Sequence, residues 1–90
     1  MRPMSAKENS KDHPALFSNF VMGLASAALI EMGIVADPST GKTRLRKEQA
    51  MQHIDMLAML QEKTRGNLSA DEKTLIERAI TDLKMQFVKI

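Results

Sequence analysis

The stretch Ala36-Asp37-Pro38-Ser39-Thr40-Gly41-Lys42-Thr43 has the spacing of a loosened phosphate-binding loop: a small residue, an intervening run, then Gly-Lys-Thr. In such a loop the backbone amides and the lysine cradle phosphate oxygens while the hydroxyl holds magnesium. That chemistry needs a buried strand in front of the turn. Here the preceding residues close a helical pattern, and only Gly33-Ile34-Val35 is free to extend. Ala36 stands where the first glycine belongs, and Pro38 removes one amide donor. The stretch therefore reads as a turn, with Pro38 at its second position and Gly41 at its end. A turn predicts that Lys42 lies in solvent and that the amides of residues 37–41 do not converge.

The remaining reactive residues are sparse. His53 has Asp55 two positions away, on another helix face, and Leu57 and Leu60 at the positions that share its own face. No ligand or triad geometry is set up locally, so His53 reads as a surface or interface imidazole. Glu31 interrupts an apolar helix near its C-terminus, where the helix dipole disfavours negative charge, and is expected to pair with a cation such as Arg44 or to reach solvent. The chain has no cysteine, which excludes a thiol nucleophile, a disulfide and a thiolate zinc site. No catalytic, cofactor-binding or metal-ligating set emerges, and the expectation is a protein that is not an enzyme.

One charged cluster stands out. Lys42, Arg44, Arg46 and Lys47 gather at the start of a helical segment, where each exposed cation opposes the macrodipole by about 0.3–1 kcal/mol. They are candidate anion-binding residues, because helix amides and cations together attract phosphate or carboxylate. Nucleic acid is a poorer fit: the net charge is only +2, and three Phe with no Trp or Tyr offer almost no stacking surface for bases.

The elements that would position these residues are helical. The composition of residues 1–14 predicts a disordered tail, and residues 15–90 a single helical domain. Helix one is predicted from about Leu16 to Met32, ending at Gly33 as a left-handed cap, and helix two from Leu45 or Arg46 to about Arg65, with Gly66 giving the same stop signal. Ser69 and Glu72 have capping-box spacing and open helix three, which runs to about Val88. Leu75, Ile76, Ala79, Ile80, Leu83 and Phe87 give that helix one apolar face, and Arg78 and Asp82 are expected to pair one turn apart. The short link between helices two and three predicts an antiparallel αα-hairpin. The fold class is all-α, three helices, completed by oligomerisation.

Oligomerisation follows from how much apolar surface three helices must hide. Gly23 and Ala27, with Ala25 and Ala28, let another helix approach closely, while Phe17, Phe20 and Leu24 supply area beside them. In helix two, Ala50, Ile54, Leu57 and Ala58 form one stripe, but Met56, Met59 and Leu60 point away from it. A single neighbour cannot cover both faces, and monomers rarely leave large apolar patches open. Phe17, Phe20, Gly23, Leu24, Ala27, Met56, Met59 and Leu60 are thus the candidate self-association residues of a homo-oligomer. A membrane is less favoured, since the uncharged run Ala15 to Ile30 is shorter than the roughly 20 residues that span a bilayer. The leader before Leu16 contains Glu8 and Asp12, unlike a secretory signal.

Finally, the run Ile54 to Leu68, the Phe17-Ser18 helix start, and Gly33 followed by Asp37-Pro38 and Thr40-Gly41 resemble a small bacterial family, domain of unknown function 1844, over roughly residues 16–88. Glu62-Lys63-Thr64-x-Gly66-Asn67-Leu68 is the most specific part. The resemblance implies a cytoplasmic bacterial protein with no assigned catalytic residues. Together these readings lead to a non-enzymatic helical module that self-associates and engages another protein. The alternatives are anion or nucleic-acid binding through residues 42–47 and peripheral membrane attachment through helix one.

Overall fold

The computed structural model describes residues 14–90, so the tail expected over residues 1–14 lies outside the described residues except for Pro14. Three helices follow in order: α1 Pro14–Glu31, α2 Lys47–Lys63 and α3 Ala70–Phe87, each packed against the other two. Among the described residues the one extended pairing is an isolated antiparallel bridge between Met32 and Leu45. The architecture is all-α.

Each boundary has a local cause. Pro14 suits a helix start because the first amides have no intrahelical partner to lose. Gly33, at φ 76°, reverses the chain after α1, and Gly66, at φ 86°, does so after α2. Ser69 caps α3 as its spacing predicts: its hydroxyl accepts from the Glu72 amide at 3.1 Å, and the Glu72 carboxylate accepts from the Ser69 amide at 2.9 Å. By contrast, Arg46, at the N-cap of α2, makes no side-chain capping bond.

The core is a cluster of small and branched residues drawn from all three helices. Val21, Ala25, Ala28 and Met32 come from α1 and its end, Ala50, Ile54 and Leu57 from α2, and Ile76, Ile80 and Leu83 from α3. Ala25 and Ala28 face inward, so half of the small-residue surface on α1 serves contacts within the chain. Leu75, Ala79 and Phe87 are only partly buried around that centre. The Lys47 ammonium lies 5.8 Å from the Phe87 ring centre, a cation–π contact between the start of α2 and the end of α3.

Candidate functional site

The link between α1 and α2 is built from its own polar groups. The Asp37 carboxylate accepts from the Ser39 amide at 2.8 Å and from the Ser39 hydroxyl at 2.7 Å. The Asp37 carbonyl accepts from the amides of Thr40 and Gly41 at 3.1 and 2.7 Å, while the Asp37 amide donates to the Lys42 carbonyl at 2.9 Å. The Lys42 amide, in turn, donates to the Thr40 hydroxyl at 3.2 Å. The amides of residues 37 and 39–42 are therefore engaged inside the loop, and Pro38 has none. Ser39 holds the Asp37 carboxyl below its ordinary range, first through its amide and then its hydroxyl, with attraction to Arg44 and Arg46 adding to the effect. Ala36 to Thr43 is a turn organised around an acid.

The four basic residues divide. Lys42 and Arg44 line an open depression of about 420 Å³ together with Asp37, Thr40 and Thr43. Arg46 is the residue before α2, and Lys47 turns to the Phe87 ring. All four are exposed. The depression thus holds two of the cations and one carboxylate, an arrangement whose charge is partly neutralised from within.

Closing this loop also assembles the pair that sequence reasoning did not join. The Met32–Leu45 bridge and a 2.6 Å hydrogen bond from the Arg46 amide to the Glu31 carbonyl pin the start of α2 to the end of α1. Glu31 consequently meets His53, whose Nδ1 lies 2.7 Å from Glu31 Oε1 and 3.1 Å from the Gln49 carbonyl oxygen. Glu31 therefore neither pairs with a cation such as Arg44 nor reaches out to solvent, the two outcomes expected of it, but meets the His53 ring. Both acceptors face Nδ1, so Nδ1 carries the proton and donates. This contact ties the end of α1 to the first turns of α2. Among the described residues no group of three metal-ligating side chains surrounds it.

Much apolar surface remains uncovered. On α1, Leu16 and Phe20 are 64% and 55% exposed, and Gly23 is open: among the described residues nothing beyond the adjoining helix backbone lies within 4 Å of where a Cβ would stand. Phe17 and Leu24 pack partly against the core, and Ala27 is half-buried. On α2, Met56 and Met59 are exposed, whereas Leu60 packs against the core. Of the candidate self-association residues, Phe20, Gly23, Met56 and Met59 are thus left open by the described residues.

A feature not anticipated from the sequence lies between α1 and α3: an open, mostly apolar groove of about 390 Å³. Met22, Ala25 and Leu29 form its α1 side, and the α3 side includes Ala79 and Leu83 with Arg78 and Asp82 at the mouth. The pairing expected between Arg78 and Asp82 does not occur. Among the described residues the ion pairs are Glu31 with His53 and Glu62 with Arg65. A cation N-terminal to its acid is the weaker order along a helix, and both side chains instead flank the groove. No helix of the described residues is long and apolar enough to cross a membrane.

The family model described as domain of unknown function (DUF1844) matches residues 14–89. No curated protein and no solved structure matches the chain.

Proposed function

We propose that this chain, which belongs to the DUF1844 family, is a non-enzymatic helical interaction module that self-associates. The observation that carries the proposal is the set of large apolar side chains left open after all three helices have packed, among them Leu16, Phe20, Met22, Met56 and Met59. A 90-residue chain has little core to spare, and contiguous apolar surface on a small protein marks a contact site more often than free solvent surface. Methionine suits such a role, because its flexible thioether adapts to differently shaped partners. An antiparallel α2–α3 hairpin is part of the same reading, supported by the Lys47–Phe87 contact and the tight turn at Gly66.

Anion binding at Lys42 and Arg44 is the weaker reading, since Asp37 shares their depression and the loop amides are already bonded. Sedimentation equilibrium of the purified full chain at micromolar concentration tests the main proposal. The expected result is a mass above the 10.0 kDa of one chain, falling towards it on dilution. A single 10.0 kDa species at every concentration would overturn self-association.

A further inference from the structure

We infer that two copies of this chain meet across the α1–α3 groove, about a twofold axis that sets Arg78 of each copy against Asp82 of the other. The inference rests on the self-association reading and assigns it a surface and register, one that includes Met22 but not Leu16, Phe20, Met56 or Met59. The groove has a shallow apolar floor, in which Ala25 and Ala79 are small enough to let a second helix axis come close. At its mouth stand one cation and one anion on the same face of α3, a single turn apart, both exposed and neither in an ion pair among the described residues.

An unrelated peptide would need its own matched charges to satisfy that mouth. A second copy of α3 running antiparallel brings them automatically. An axis level with Ile80 opposes position 78 to position 82 twice over, which is the self-complementarity that a twofold contact requires. The same register opposes Leu75, at the groove, to Met85, which is 56% exposed in the single chain. The two reciprocal ion pairs then lie nearest the axis, with the Leu75–Met85 contacts beyond them on either side. Opposed charges across such a contact select partner and register more than they add affinity.

The test uses two full-length variants, R78E and D82K, alone and mixed, followed by sedimentation and by native mass spectrometry. Both positions are exposed, and circular dichroism checks that each variant keeps its helices. In R78E alone, two acids oppose two acids; in D82K alone, two cations oppose two cations. Each should raise the dimer Kd by roughly tenfold or more. An equal mixture restores both attractive pairs, so it should form heterodimer in preference to either homodimer, at close to wild-type affinity. Wild-type self-association that neither variant disturbs would overturn this interface while leaving self-association intact. Weakened variants that the mixture does not rescue would overturn the reciprocal register. A wild-type chain that stays monomeric would overturn both readings.

Discussion

Replacing Gly23 by Ala should stabilise the isolated chain, whereas the same change at Gly33 should destabilise it. Gly23 lies inside α1 with ordinary helical backbone, and among the described residues nothing beyond the adjoining helix backbone comes within 4 Å of its missing Cβ. A glycine in a helix interior costs about 0.8–1.0 kcal/mol relative to alanine, and nothing within the chain offsets that cost. For a domain of this length about 1 kcal/mol corresponds to a rise in Tm of roughly 4–8 °C. Gly33 differs because its φ is 76°. An added Cβ would stand 3.6 Å from the Arg44 carbonyl carbon and oxygen, ordinary contact distances, so the loss comes from the left-handed backbone alone, about 1–2 kcal/mol. Thermal melts by circular dichroism, at concentrations where the wild type is monomeric, read both signs. A lower Tm for Gly23→Ala under those conditions would refute the reasoning, since it would require a neighbour at Gly23 within the same chain. Sedimentation adds a second reading. Gly23 does not line the groove, so the added methyl should leave self-association unchanged, and weakened association would move the interface to the outer face of α1.

Ser69→Ala removes a hydroxyl that accepts from the Glu72 amide at 3.1 Å and should destabilise by about 0.5–2 kcal/mol in urea unfolding, with the loss concentrated at the start of α3. Neutral His53 should be the Nδ1–H tautomer, visible in long-range ¹H–¹⁵N correlation spectra, because Nδ1 faces the Glu31 carboxylate and the Gln49 carbonyl; an Nε2–H tautomer would contradict the geometry. Glu31→Ala should lower stability by about 1–2 kcal/mol, since it strips the charged acceptor from a largely buried contact. Lys42→Ala should change stability by less than about 0.5 kcal/mol, and ATP or GTP with magnesium should leave Tm unmoved, because a ligand of the native state raises it. A magnesium-dependent rise that Lys42→Ala abolishes would restore the phosphate-loop reading.

The helices and their ends were legible because their signals are local. Ser69 and Glu72 needed only each other, Gly33 and Gly66 needed only their own dihedrals, and Ile76, Ile80 and Leu83 declared their face by spacing. The turn at Asp37 was legible for the same reason: proline, serine and glycine close it within a few residues. Contacts between helices were harder. Periodicity gives the direction of a side chain about its own axis, but not the rotation of that axis against a neighbour. Hence Glu31 was expected to pair with a cation such as Arg44 or to reach solvent, when the packing of α1 against α2 brings it to His53. Arg78 and Asp82 failed in the opposite way, since helical spacing permits a pair that the chain does not make.

That failure bears on function more than the successes do. A charged pair one turn apart on an otherwise solvated helix costs little to leave open, because exposed ion pairs contribute little in either arrangement. At the mouth of an apolar groove the balance changes: covering the groove excludes water, the attraction between opposite charges strengthens, and a mismatched partner leaves a charge uncompensated. In the proposed contact the same two residues would be nearly neutral for the fold and discriminating for the partner. The turn at Asp37 behaves differently, since its acid and amides are already engaged with one another and keep little for a ligand. Polar groups satisfied within the chain maintain the turn at Asp37, whereas Arg78 and Asp82 stay unpaired beside open apolar surface, where the proposed contact would draw its specificity.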